Sequence, residues 1–329
     1  MTNRFCNFLK LNDFSIEELL NIIWAGYELK SGISKIQRPF VGKTLAMIFE
    51  KPSTRTRISF EVGMLELGGH AIYLNSKDLQ IGRGETIEDT AKILSDYVDL
   101  VMIRTFKQED VELLAKFSSI PIINGLTDMY HPCQVLSDVF SIMDKKKEYF
   151  DFDFNNFNKD NVMRTFNNIN FLYIGDSTSN MANSLMDASS IFGLNSYFLS
   201  PSGYELDKNL YKNAKEKALI NGGDIKSIKS LDEIDKKIDV FYTDIWISMG
   251  KEKEKLERYK AFKGYQLNQK LLDNFANNNC LVMHCLPAHR GEEITNEVIE
   301  GKNSIVFEQA KNRLYIQKAI MLYVMKELS

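Results

Sequence analysis

Two doubly wound α/β domains with parallel sheets are the fold class this sequence predicts. Three observations carry the prediction. Short apolar runs of strand length alternate with helical periodicity, first over residues 45–124 and again over residues 170–285. At 329 residues the chain is long for a single core. Between the two series lies residues 145–168, which opens on Lys145-Lys146-Lys147 and is then crowded with asparagine, aspartate and phenylalanine. That stretch reads as a connector, a solvated loop with a phenylalanine clamp. A first domain over 1–145 and a second from 146 onward follow.

The first helix is announced by Asn12-Asp13-Phe14-Ser15, capping residues ahead of Ile16, Leu19, Leu20, Ile23 and Trp24. Residues 45–49 form a buried strand. The helix behind it carries Ile58, Val62 and Leu65 on one face, with Phe60, Met64 and Leu67 beside them, until Gly68-Gly69 stops it. Residues 71–74 are a short strand, and the polar, glycine-punctuated stretch 78–85 is a loop. A helix over 86–97 sets Ile87, Ala91 and Leu94 on a face. The strand over 99–104 delivers Arg104 at its C-terminal end, where ligands collect in open α/β sheets. Another strand covers 120–124, and the next helix starts at His131-Pro132 and runs through Val135, Leu136, Val139 and Ile142. The second series has strands over 170–174, 195–199, 240–243 and 280–285, with helices over 177–192, stopped by Gly193, and over 206–221. The charge run 251–255 is a solvated helix start. The last helix opens at Arg313 and continues through Ile316, Ala319, Ile320 and Val324.

Chemistry concentrates where strands end. Ser53-Thr54-Arg55-Thr56-Arg57 sits at a strand-to-helix junction. Free backbone N–H groups at a helix start favour an anion, and hydroxyls and guanidinium groups add donors suited to phosphate. By residue type alone the same stretch also serves as a capped helix start with surface arginines. Arg104 is equally a surface arginine closing a strand, and His131, one turn from Gln134, equally a structural histidine. Gly42-Lys43-Thr44 is not a phosphate-binding P-loop, because Gln37 stands where its first glycine belongs and a strand follows rather than a helix. Gly82-x-Gly84 and Gly175-Asp176-Ser177 lack the glycine pattern of a nucleotide site. Cys285 has three readings: a buried strand thiol, a nucleophile paired with His284, or a zinc ligand with His284 and His289. Strand alternation sends His284 and Cys285 to opposite faces, and no fourth ligand lies at metal spacing.

Five motifs occur in one order along the chain: Ser53-Thr54-Arg55-Thr56-Arg57, His131-Pro132-Cys133-Gln134, the run from Asp244-Ile245-Trp246 to Ser248-Met249-Gly250, His284-Cys285-Leu286-Pro287, and Asn312-Arg313. In this the chain resembles the aspartate/ornithine carbamoyltransferase superfamily, and its ornithine-using branch in particular. The resemblance implies a carbamoyl-phosphate domain, 1–145, to which the last helix, 313–329, returns, and an ornithine domain over 146–312, with the active site in the cleft between them. It implies that Ser53, Thr54, Arg55 and Thr56 bind phosphate. Arg104, His131, Gln134 and Arg313 would then orient the carbamoyl group, Cys285 and Leu286 would also bind carbamoyl phosphate, and Arg104, His131 and Cys285 would be catalytic. Gln80 matches a residue lent by a neighbouring subunit of a trimer or a multiple of trimers. Asn180, Asp244, Ser248 and Met249 would bind ornithine. The family often has two adjacent asparagines at this point, and Ser179 replaces the first. The implied reaction makes citrulline and phosphate and needs no cofactor or metal. A diamine such as putrescine is the alternative substrate, and Ser248-Met249-Gly250 favours one with a carboxylate.

Composition narrows the rest. A formal net charge of -3 gives no field suited to nucleic acid. No run of about 18 apolar residues predicts a membrane span, and Met1 to Cys6 lacks a secretion signal's apolar core. Four cysteines without tight pairing fit free thiols in a reducing compartment, the cytoplasm.

Overall fold

The computed structural model describes residues 6–79, 84–146, 157–248 and 250–328. Gln80, Met249 and residues 147–156 of the connector lie outside them. The chain divides into two compact units, residues 1–140 with 311–329 and residues 141–310.

The first unit holds four parallel strands: β1 (Thr44–Phe49), β2 (His70–Asn75), β3 (Leu100–Arg104) and β4 (Ile122–Leu126). They lie in the order β2-β1-β3-β4. Between and around them run α1 (Ile16–Ser31), α2 (Thr54–Glu66), α3 (Ile87–Tyr97), α4 (Gln108–Phe117) and the start of α5 (Pro132–Lys146). Every residue of β3 and β4 is buried, as expected of parallel strands covered on both faces. The edge strand β2 is half exposed along its length. Ser15 opens α1 with a full capping box, accepting from the Glu18 N–H while Glu18 reaches back to Ser15.

The second unit holds five parallel strands, β5 (Asn170–Ile174), β6 (Asn195–Leu199), β7 (Asp224–Ile228), β8 (Ile238–Thr243) and β9 (Ala276–His284), in the order β7-β6-β5-β8-β9. Its helices are α6 (Lys159–Asn167), α7 (Asn180–Phe192), α8 (Lys208–Ile220), α9 (Lys255–Ala261), α10 (Gln269–Phe275) and α11 (Asn296–Ile299), followed by the start of α12 (Val306–Val324). Leu172, Phe241, Val282, Ile294 and Val298 share one apolar core there.

In each sheet the winding reverses once, between β1 and β3 in the first and between β5 and β8 in the second. A doubly wound sheet opens a crevice at the C-terminal ends of the two strands flanking such a reversal. Those ends carry residues 50–53 and Arg104 in the first unit, and Gly175-Asp176 and Asp244 in the second.

Four expectations need correction. Ile58 and Leu65 do not face the core: they are 54% and 66% exposed, while Phe60, Gly63, Met64 and Leu67 are buried. The helix α2 is apolar on two sides, so periodicity could not choose between them. The last helix begins at Val306, and Arg313 lies well inside it. The connector is not all loop, because α6 forms within it and buries Val162, Thr165 and Phe166, with Phe166 against Phe192 at 5.3 Å between ring centroids. The strand β4 begins at Ile122 rather than residue 120.

Candidate active site

In the first unit, groups suited to an anion stand near three strand ends and on one distant helix. Ser53 caps α2, its hydroxyl accepting from the Thr56 N–H at 3.3 Å. The cap occupies the Thr56 N–H, and the other N–H groups of the first turn belong to the end of a helix that favours an anion. Thr56 is fully buried and its Oγ1 accepts from Arg313 Nη2 at 2.9 Å. Gly63 leaves room for α12: a Cβ there would stand 3.1 Å from Lys318 Cγ and 3.2 Å from Met321 Cε, and those side chains would have to give by a few tenths of an ångström. Arg104 closes β3 and is 5% exposed, which rules out a surface arginine.

His131 precedes α5 and is 6% exposed. Burial, then the charges of Arg313, Arg104 and Arg55, hold its imidazole well below the ordinary histidine range. A neutral imidazole among three guanidinium groups is a receptor built for an anion. Gln134, 1% exposed, donates from Nε2 to Asp138 Oδ1 at 2.8 Å. Its Oε1 is buried and meets no donor among the described residues, so it is placed to accept from a ligand N–H. Cys133, between them, is inert: burial first pushes its thiol up to about 12, and it donates to the Asn124 carbonyl.

The second unit gathers a different set. Asp244 follows β8 and is 7% exposed. Its Oδ1 accepts from Cys285 Sγ at 3.1 Å and from the Ile245 N–H at 2.8 Å. Burial raises its carboxyl above the ordinary range, offset in part by hydrogen bonds from the Cys285 thiol and the Ile245 N–H. A cationic ligand would relieve that penalty. His284 is buried and fully committed: Nδ1 accepts from the Leu286 N–H at 2.8 Å, so Nε2 carries the proton toward Glu293 Oε1 at 3.0 Å. The same Glu293 oxygen accepts from the His289 N–H at 2.6 Å. No lone pair of His284 is left to activate Cys285, which speaks against a cysteine hydrolase.

Asp244, His284 and Cys285 do lie within 4.8 Å of one another by their ligand atoms, as do His289, Glu292 and Glu293. Strand alternation does not keep His284 and Cys285 apart, because Cys285 stands one residue beyond the end of β9. The zinc set His284, Cys285 and His289 is not brought together as one group among the described residues.

Asn180 is the first residue of α7, capped by Ser179, and Ser248 lies half-buried in the loop after β8. Leu286 has φ 54 and its N–H anchors His284. Two further residues build this half and escape sequence reasoning. Arg258, 2% exposed in α9, donates from Nη1 to Asp176 Oδ2 at 2.6 Å and to the Trp246 carbonyl at 2.9 Å. Asp176 Oδ1 in turn accepts from the Thr178 N–H and hydroxyl. The loop between β5 and α7, which leads to Asn180, and the Asp244-to-Ser248 loop are thereby tied to one guanidinium. The only sequence signal for Arg258 is a basic residue at the end of a charge run, which looks solvated.

Both halves have counterparts among known proteins. The family described as "Aspartate/ornithine carbamoyltransferase, carbamoyl-P binding domain" matches residues 6–144, and "Aspartate/ornithine carbamoyltransferase, Asp/Orn binding domain" matches 167–324. A protein of Oceanobacillus iheyensis named ornithine carbamoyltransferase is 47% identical over 98% of this chain and 94% of its own length. One of Pyrococcus furiosus, named ornithine carbamoyltransferase, anabolic, is 45% identical over 97% of this chain and 96% of its own. Among solved structures, ornithine carbamoyltransferase from Pyrococcus furiosus superposes with a TM-score of 0.87 at 45% identity, covering 98% of each chain. The anabolic enzyme of Campylobacter jejuni gives 0.85 at 39%, covering 98% of this chain and 99% of its own.

Proposed function

The chain belongs to the aspartate/ornithine carbamoyltransferase family, and from that membership and the two half-sites we infer its reaction and the residues that perform it. It transfers the carbamoyl group of carbamoyl phosphate to the δ-amine of L-ornithine, giving citrulline and phosphate. The observation that carries the residue assignment is that one unit buries His131 within reach of the charges of Arg55, Arg104 and Arg313, while the other buries the Asp244 carboxyl.

In this account the α2 N-terminus, Ser53, Thr54, Arg55 and Thr56 hold the phosphate. Arg104, His131 and Arg313 draw charge onto the carbamoyl oxygen, and neutral His131 donates without repelling the neighbouring cations. Gln134 Oε1 accepts from the carbamoyl NH2, and the Leu286 carbonyl offers a second acceptor. Asp244 pairs with the α-ammonium of ornithine, while Asn180, Ser248 and Met249 hold its carboxylate end. The δ-amine must be neutral to attack, although a free amine of that kind has a pKa near ~10. Cys285, already hydrogen-bonded to Asp244, is positioned beside the amines to favour the neutral form. Attack gives a tetrahedral intermediate. The C–O bond to phosphate then breaks, and the phosphate leaves with a proton from the amine. Biosynthesis of arginine is the direction supported by relatives named anabolic.

Among the described residues no helix is long and apolar enough to cross a membrane. The four cysteines carry free thiols, which supports a reducing, cytoplasmic setting. We place Gln80 in the site of a neighbouring copy, within a trimer or a multiple of trimers. The second apolar side of α2, with Ile58 and Leu65, and the β2 edge, with Ile72 and Tyr73 39% and 36% exposed, support a copy packing beside that loop.

The test is a citrulline-type colour assay with carbamoyl phosphate against ornithine, putrescine, acetylated ornithine and aspartate. Ornithine should be turned over and aspartate should not, since Asp244 repels a second carboxylate. Putrescine turned over as efficiently as ornithine would overturn the roles given to Asn180 and Ser248.

A further inference from the structure

Lys51 stands two positions before Ser53, yet it is 4% exposed. Burying an ammonium is costly, and lysine almost never does so without partners. Its Nζ donates to Asp128 Oδ1 and lies 4.2 Å from the centroid of the Phe106 ring. Each partner belongs to a different loop. Asp128 lies three positions before His131, on the loop after β4. Phe106 lies two positions after Arg104, on the loop after β3. Those two loops are also joined directly, the Asp128 N–H donating to the Phe106 carbonyl at 2.8 Å. One ammonium therefore belongs to the loop that leads into Arg55 at the start of α2, and touches the loop that follows Arg104 and the loop that leads to His131.

Such a knot has mechanical work to do. The charges of Arg313, Arg104 and Arg55 all bear on one imidazole, His131, so the loops that flank these groups must be held in register. Stability alone does not call for an ion pair here. The Asp128 side chain is 63% exposed, and water weakens the attraction on that side. A methionine would fill the same volume with no charge to desolvate.

We propose that Lys51 is a positioning residue for carbamoyl phosphate, its ammonium fastening the loops after β1, β3 and β4 so that Arg55, Arg104 and His131 converge on one anion. The inference rests on the roles assigned above to those three residues. Lys51 touches no substrate in this account and acts through the loops it joins.

The test uses the full-length protein with Lys51→Met, Lys51→Arg, Asp128→Asn and the Lys51→Met/Asp128→Asn double variant. Carbamoyl-phosphate affinity is read by calorimetry, both KM values by steady-state kinetics, and Tm in parallel. Lys51→Met should weaken carbamoyl phosphate roughly 10- to 100-fold, the range expected when reacting groups shift by about an ångström. The ornithine KM at saturating carbamoyl phosphate should stay within about twofold. Lys51→Arg should recover most of the affinity, since a guanidinium can stack on Phe106 and still pair with Asp128.

Asp128→Asn decides between a tether and plain attraction. It leaves the charge of Lys51 in place and frees it from its counter-ion. If Lys51 served by drawing the phosphate directly, Asp128→Asn would tighten binding. A tether predicts weaker binding, and a double variant no worse than the weaker single, because one link is cut either way. Tighter binding in Asp128→Asn, or unchanged affinity in a folded Lys51→Met, overturns the proposal. So does an equal rise in both KM values alongside a lowered Tm, which is the mark of a merely structural lysine. Wild-type protein that binds no carbamoyl phosphate at all would instead overturn the functional assignment on which the proposal stands.

Discussion

Replacing Asp244 by asparagine separates the two substrates and reverses a stability cost in one experiment. Asparagine keeps the shape and an oxygen to accept from Cys285 Sγ and the Ile245 N–H, the two donors now on Oδ1. What disappears is the charge offered to the α-ammonium of ornithine. A hydrogen bond to a charged group contributes about 1.5–3 kcal/mol. That corresponds to roughly a 10- to 150-fold rise in the ornithine KM. The carbamoyl-phosphate KM should move by less than about twofold, because the residues assigned to its phosphate, Ser53 to Thr56, lie in the other unit. Stability should move the opposite way. Burial raises the Asp244 carboxyl, so the folded chain binds this proton more tightly than the unfolded chain does. The stabilisation is then present at low pH and is lost as pH rises through the raised value, leaving a costly buried carboxylate at neutral pH. The Asp244→Asn change removes that cost, so the substrate-free variant should melt above wild type at pH ~7 and not below it. Initial rates with each substrate varied in turn, and calorimetric melting without substrate, read both effects. Equal shifts in the two KM values, or a lower Tm in the variant, would refute the assignment.

Three further outcomes are expected. Arg55→Ala should abolish tight binding of carbamoyl phosphate in a folded protein, and calorimetry showing unchanged affinity would remove Arg55 from the receptor. His131 is held well below its ordinary value of 6.5, so below that pH the unfolded chain takes up a proton that the folded chain refuses. Stability should fall as pH drops from neutral through that range, and His131→Gln should flatten the dependence of Tm on pH; a slope unaltered in the variant would mean that another group carries it. Arg55→Ala and Gln80→Ala proteins, each nearly inactive, should recover activity at about a quarter of their sites when dissociated, mixed equally and reassembled. Activity that stays at the mutant baseline after confirmed reassembly would rule out a shared site.

Much of the fold and of the site is legible in the order of the residues, and what stays hidden has physical causes. Most strands of both sheets stand out because parallel strands covered on two faces become continuous apolar runs, as in Leu45-Ala46-Met47-Ile48-Phe49 and Asn170-Phe171-Leu172-Tyr173-Ile174. The edge strand β7 and the helix α4 do not show in this way. Asp224-Ile225-Lys226-Ser227-Ile228 carries charge because its outer side meets water, and Gln108-Glu109-Asp110 opens α4 as polar as a loop. The inner side of α2 is masked by apolar residues on both sides of one helix, and the true start of α12 by motif residues that draw the boundary toward Arg313. Site residues are readable where they sit in dense motifs. Lys51 and Arg258 are not, because each is a charge whose burial depends on partners 77 and 82 positions away in sequence. Nothing local marks such a residue as buried. Glu293 escapes for the same reason on a shorter scale, since its meaning depends on His284 being committed at both ring nitrogens.

The most direct measurement follows the atoms. Carbamoyl phosphate labelled at its carbonyl carbon and ornithine labelled at its δ-nitrogen are mixed with the protein and watched by nuclear magnetic resonance. The account predicts that one new carbon signal appears, split by direct coupling to the labelled δ-nitrogen, and grows in step with free phosphate. Phosphate released while the labelled carbon stays uncoupled, or ends on the α-nitrogen, would contradict the central claim that the bound δ-amine attacks the bound carbamoyl group.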